Sequence, residues 1–231
     1  GDIFKQDISQ TEAEAIVTTP EYETNPCLSP DQTLILYLVS EKRGADATRL
    51  MRVPVSGGPP GLVLSGEKIK SFSCARETKL CVVAEEVEGK QILTTFDPVK
   101  GRGEKLPLSD FPNFGRGILS PQGRLIEKMK PGPEGLHIRV GSLTGKPAEE
   151  IIFKDLTGDY NFHGWSLDGK GIYIDVKEKT ASYHNFLYAG LDGHSQELWK
   201  RGMSPGYTVE GLVPSPDGRY LAFTTVTYES N

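Results

Sequence analysis

The chain has 231 residues, 37% of them hydrophobic and 25% charged, with 26 basic and 31 acidic side chains and a formal net charge of −5. That length suits one large domain with a sizeable core. The acidic balance, spread along the chain, excludes the basic face that nucleic-acid binding requires. No apolar run approaches the roughly 18 residues of a membrane helix.

Residues 2–8 alternate like a strand, and a polar turn at Ser9–Glu12 leads to a short apolar segment at Ala15–Val17. These read as the third and fourth strands of a four-stranded unit whose first two strands lie elsewhere. A complete unit follows. Asn25-Pro26-Cys27-Leu28 enters the turn Ser29-Pro30-Asp31-Gln32, then a strand over Thr33–Leu38, a charged loop at Glu41–Asp46, a strand over Arg49–Val55, and the turn Ser56–Pro59 onto Gly61–Leu64. In the turn, Pro presets φ, Asp bonds back to its own backbone, and the last position takes positive φ, which Gly does without strain.

The same unit recurs. A worn copy at Cys74-Ala75-Arg76-Glu77-Thr78 precedes Leu80–Ala84, with a third strand at Gln91–Phe96 and a last turn at Lys100–Gly103. Ser120-Pro121-Gln122-Gly123 precedes Arg124–Met129, with His137–Leu143 next and a turn at Thr144–Pro147. Trp165-Ser166-Leu167-Asp168-Gly169 precedes Lys170–Asp175, with Phe186–Leu191 and a turn at Asp192-Gly193. Ser215-Pro216-Asp217-Gly218 precedes Tyr220–Thr225, after which only Asn231 and its near neighbours remain. The serines at 120, 166 and 215 are about 46 to 49 residues apart, and Ser29 lies about twice that before Ser120. A fixed period made of short strands marks a blade array.

The expected fold is therefore all-β, a single β-propeller domain over residues 1–231. Its repeats run over about 22–66, 67–107, 112–153, 160–200 and 207–231, the last completed by 1–20. Half a blade at each end predicts five four-stranded blades closed by pairing N- and C-terminal strands, since open edges leave backbone groups unpaired. Six blades, or an open fragment of a larger propeller, is the alternative.

Cys74 and Cys81 flank the worn turn and could face each other across a hairpin, which leaves two readings: a disulfide, or two reduced, part-buried thiols. Cys27, on an inner strand, is expected to be a free buried thiol. No cysteine–histidine spacing fits a metal site.

The Ser-Pro-Asp-Gly turn before a strand resembles the repeat of TolB-like, WD40-like bacterial propellers. Gln32, Gln122 and Leu167 depart from that repeat. Cys27–Asp31, Leu50–Pro60, Cys74–Arg76, Leu80-Cys81 and Phe96–Gly103 resemble the C-terminal propeller of acidobacterial membrane-tethered serine/threonine kinases and winged-helix regulators. The resemblance implies a piece of a longer signalling protein, in which the propeller senses or binds, and an extracytoplasmic, periplasmic location, with cytoplasmic as the alternative. The chain carries no kinase Gly-rich loop, His-Arg-Asp or Asp-Phe-Gly.

Candidate chemistry is sparse. Gly202-Met203-Ser204-Pro205-Gly206 fits G-x-S-x-G, but a nucleophile elbow needs a strand before it and a helix after it. The histidines at 137, 163, 184 and 194 form no metal-ligand spacing. No cofactor, metal or catalytic residue is expected. The leads into the inner strands hold Tyr22, Phe111, Phe114, Tyr160, Phe162 and Tyr207 near Asn25, Arg116, His163 and Glu210. Gathered at one channel mouth they would form a ligand or peptide site; wedged between blades, the aromatics would be packing. The expected function is non-catalytic ligand sensing or protein interaction, in a monomer whose partner is a protein, a peptide or a small ligand. A substrate-gating propeller of a prolyl-oligopeptidase-type hydrolase, or a periplasmic scaffold module, is the alternative.

Overall fold

The computed structural model describes residues 2–6, 11–106, 119–143, 147–177, 183–202, 207–214 and 221–227, with side chains up to residue 202, Arg201 excepted. Every regular element among them is a strand. The chain divides into two compact units, 1–115 and 116–231.

In the first unit, β1 (Ile3–Lys5) and β2 (Glu14–Val17) form a two-stranded antiparallel sheet. Then β3 (Tyr22–Leu28), β4 (Leu34–Ser40), β5 (Ala47–Pro54), β6 (Gly61–Ala75), β7 (Leu80–Val87), β8 (Lys90–Asp97) and β9 (Gly101–Lys105) form one seven-stranded sheet in sequence order. The junction of the two repeats was expected near residues 66 and 67. Instead β6 runs 15 residues without a break, pairing with β5 through its first part and with β7 through its second. The polar run Ser65-Gly66-Glu67-Lys68 stays extended, and Gly66 sits so close to the Glu85 carboxylate that a Cβ there would collide with it. The last turn of the second repeat also falls earlier than expected. It lies at Asp97–Lys100, where Asp97 Oδ1 accepts from the amides of Val99 and Lys100, both at 2.8 Å.

β4 shows why the strands read as apolar rather than alternating. Leu36 and Leu38 point into one cluster, with Leu50, Val63, Phe72, Val83 and Phe96. Ile35, Tyr37 and Val39 point to the other face, against Ile3 and Val17 of the terminal hairpin. A strand buried on both faces carries apolar residues at every position.

In the second unit, β10 (Arg124–Gly132), β11 (Gly135–Ser142) and β12 (Glu149–Phe153) form a three-stranded sheet. β13 (Asp159–Trp165), β14 (Gly171–Lys177), β15 (Tyr183–Gly190) and β16 (Ser195–Gly202) form a complete four-stranded antiparallel sheet. β17 (Tyr207–Pro214) pairs with β18 (Leu221–Thr227) as a two-stranded sheet.

One turn recurs in detail. Ser29, Ser120 and Ser166 are all buried. Each hydroxyl accepts the amide of the first residue of the next strand, Leu34, Arg124 and Gly171, at 3.0 Å. Each serine amide donates back to the carbonyl of that residue, at 2.8 to 2.9 Å. Ser29 and Ser166 also donate to Asp31 and Asp168, at 2.6 and 2.7 Å. These bonds, with one from a backbone amide two residues on, hold both carboxyls below their usual range. The turn's last position needs positive φ. Gly123 and Gly169 supply it, and Gln32 adopts it at 62° in place of glycine.

Both glutamine departures serve a second purpose. The Gln32 side-chain oxygen accepts from Arg76 Nε of the next repeat's turn (3.2 Å). Gln122 Nε2 donates to the Leu167 carbonyl of the turn that follows it (3.2 Å). Where the second repeat has Ala75 in the serine's place, Cys74 and Cys81 stand directly opposite each other and form a disulfide. Cys27 is a free thiol, but exposed rather than buried. A register shift after Thr24 turns the end of β3 outward, and Leu28 is exposed with it. The fourth turn, at Ser215–Gly218, lies outside the described residues.

Ser166→Ala leaves the buried Gly171 amide without its acceptor and is expected to cost about 1–3 kcal/mol. Reducing Cys74–Cys81 removes a short covalent loop and is expected to cost about 2–3 kcal/mol. Urea unfolding measures both, with the exposed Ser56→Ala, expected within about 0.5 kcal/mol of wild type, as reference.

Candidate functional site

Each inner strand among the described residues carries a bulge a few residues before its turn. In β3, Asn25 and Pro26 both face Tyr37 of β4. In the second half of β6 the extra residue is Lys70, in β13 it is His163, and in β17 it is Gly211. A bulge kinks the strand and re-aims a side chain, and bulges are common beside sites. Two of the sequence-selected residues, Asn25 and His163, fall on these bulges. Asn25 takes positive φ, 55°, which asparagine tolerates better than most residues. Lys70 reaches Asp46 (2.9 Å) and Glu86 (3.4 Å).

His163 is turned into its own sheet. Its side chain is 4% exposed, and Nε2 lies 2.7 Å from Asp175 Oδ2 on β14. The other oxygen, Oδ1, meets His184 Nδ1 on β15 at 2.6 Å and accepts from Asn161 Nδ2 at 3.3 Å. Burial pushes the Asp175 carboxyl up, but the hydrogen bonds from His163 and His184 outweigh it and hold the pKa below the usual range. An ionised carboxylate only accepts, so each imidazole presents an N–H to it. Phe186 lies against the His163 ring, centroids 5.6 Å apart, and stacks on Trp199 at 4.6 Å.

His184, 32% exposed, is the member that reaches solvent. A carboxylate behind one imidazole nitrogen fixes the ring's orientation, which leaves His184 Nε2 as the nitrogen not engaged by Asp175. The three ionisable groups satisfy one another rather than surrounding a point. Among the described residues no group of three or more His, Cys, Asp or Glu side chains could hold a metal ion.

The remaining selected residues divide. Tyr22 and Tyr160 are half-buried at the starts of β3 and β13. The Tyr160 hydroxyl donates to the Leu156 carbonyl, and burial pushes its pKa up. β13, which carries Tyr160 and His163, is in contact with β17, which carries Tyr207 and Glu210. Phe111, Phe114 and Arg116 lie outside the described residues, as does Ser204.

Asp175 and His184 were missed by sequence reasoning, yet a signal existed. Counted from the first residue of β4, β7 and β14, the place of Asp175 is filled by Leu38 and Ala84, both buried. Asp175 is itself buried, and a buried acid at a place that two other copies fill with apolar residues needs a partner. A second buried carboxylate, Glu85 on β7, is held by the Arg102 guanidinium, which also donates to the Ser65 carbonyl (2.7 Å).

No protein-family model matches the chain, and a search of curated proteins finds no match. Solved structures do match. A structure described as TolB from Agrobacterium tumefaciens is 17% identical, with a TM-score of 0.69, over 94% of this chain and 74% of that one. TolB from Acinetobacter baumannii is 15% identical, TM-score 0.65, over 90% of this chain. This chain spans half the length of that TolB. The β-propeller domain of the Trilobed protease from Pyrococcus furiosus, described as having an open velcro topology, is 14% identical, TM-score 0.57, over 91% and 66%. The chain has the TolB-like β-propeller fold.

Asp175→Asn gives two imidazoles an amide in place of a carboxylate and is expected to cost about 2–4 kcal/mol at neutral pH. Because the folded carboxyl is held below its unfolded value, its contribution is complete above about pH 4 and fades as pH falls below that. The stability gap between wild type and Asp175→Asn, from urea unfolding across pH 2 to 7, should therefore narrow as pH falls below about 4.

Proposed function

We propose that the chain is a non-catalytic propeller module that binds a protein, peptide or small ligand through the leads into its inner strands. The recurrent bulge carries this reading. It recurs three to five residues before the turn position in every described inner strand, at Asn25, Lys70, His163 and Gly211. A bulge re-aims the chain locally, and bulges are over-represented beside functional sites. The TolB-like fold supports a module whose work is association. The resemblance of Cys27–Asp31 and Leu50–Pro60 to the propeller of acidobacterial kinases supports a place in a bacterial signalling protein. The Cys74–Cys81 disulfide supports an extracytoplasmic location, because disulfides persist in oxidising compartments. Closure of five blades by the terminal strands belongs to this proposal.

One observation favours a second reading. The fold is shared with the propeller domain of a protease, so the chain could gate substrate to a hydrolase beside it.

Two measurements test the choice. A photo-crosslinking residue at Tyr160 or Tyr207, in the chain with its flanking sequence, is expected to capture a partner, and one at the exposed Glu150 of β12 is not. Equal capture from both positions overturns the inner-strand site. A fluorophosphonate probe is expected to leave this chain unlabelled; labelling at Ser204 overturns the non-catalytic reading.

A further inference from the structure

The second unit contains a cleft of about 440 Å3 at the turn end of the third and fourth repeats. It belongs to a different part of the repeat from the inner-strand leads and stands apart from the function proposed above. Its lining includes Arg124, Lys170, Tyr188, Asp192, His194 and Gln196.

The cleft arises where the fourth repeat departs from its siblings. The first residue of the second strand is Leu34 in β4, Leu80 in β7 and Arg124 in β10, but Gly171 in β14, the one glycine among them. A Cβ at 171 would collide with the Tyr188 ring, so the glycine lets the phenol lie flat against the turn. Tyr188 packs on Tyr173, centroids 5.8 Å apart, and forms an aromatic wall. Burial pushes its hydroxyl pKa up, so it stays a neutral donor.

The charges around this wall are unequally matched. Arg124 gives one amine, Nη2, to Glu149 (2.6 Å). Asp192 is engaged in its own turn, where Oδ1 accepts the His194 amide (3.1 Å) and lies 3.7 Å from the His194 ring. Lys170 lines the cleft and forms no ion pair among the described residues, although the Asp168 carboxyl two residues before it feels its charge. An aromatic wall beside this lysine and a guanidinium with donors to spare suits an anion on a planar body.

We propose that this cleft binds a small organic anion. Its carboxylate or phosphate head lies against Lys170 and the remaining donors of Arg124, and its planar body lies on the Tyr188 ring.

The test uses benzoate and phenyl phosphate as probes, with inorganic phosphate as the head alone, followed by saturation-transfer NMR and calorimetry. Saturable binding of at least one aromatic probe is expected, weakened about tenfold or more by Lys170→Glu. Lys170 is exposed, so charge reversal there leaves the fold intact, which circular dichroism checks. Gly171→Ala, which displaces Tyr188, is expected to weaken the aromatic probes as well. The exposed Lys154→Glu is expected to bind as wild type does. Absence of saturable binding by both aromatic probes, or unchanged binding by Lys170→Glu, overturns the proposal. Inorganic phosphate binding as tightly as phenyl phosphate overturns the role given to Tyr188.

Discussion

A buried serine hydroxyl, placed at the mouth of a tight turn, has to accept the first amide of the strand that follows. Three copies of this contact, at Ser29, Ser120 and Ser166, set where an inner strand stops and where its neighbour begins. A buried amide without an acceptor is costly, so the turn is held at one length and one register. The second repeat meets the same constraint differently. With Ala75 in the serine's place, a covalent bridge between Cys74 and Cys81 ties the two strands one step further out.

Once the turn is pinned, the bulge before it is pinned as well, and with it the side chain that the bulge re-aims. The fourth repeat uses this most fully. Its bulged His163 meets Asp175 on the next strand, and His184 closes the contact from the third. The same repeat also has glycine at the start of its second strand, which frees the space taken by Tyr188. Copies within one chain serve as references for each other.

The architecture was legible because turn chemistry is local. Ser-Pro-Asp-Gly names its own dihedral angles and hydrogen bonds, and the spacing of its copies names the repeat. The third strands followed from the same reading, as did the facing positions of Cys74 and Cys81, whose choice between disulfide and thiols stayed open until the structure showed the bond. What escaped was set at longer range. Nothing in Ser65–Lys68 announces that β6 passes through it unbroken, because the cause is its pairing with β5 and β7. Cys27 was placed inside because inner strands are usually buried, and the bulge that turns it out depends on a register that only pairing defines. Asp175 looked like one acid among many until its neighbours on three strands were assembled. His163 and Asn25 were visible as candidates, whereas the reason for their positions was not.

The unbroken β6 has a consequence for how the first unit comes apart. Solenoid-like repeats commonly unfold piecemeal, each module released from its neighbour. Here the two modules share one unbroken strand, whose first part pairs with β5, whose second part pairs with β7, and whose Ile69 pairs with both. The backbone that joins them is itself a strand, so loosening of one module reaches the other through paired backbone rather than through a loop.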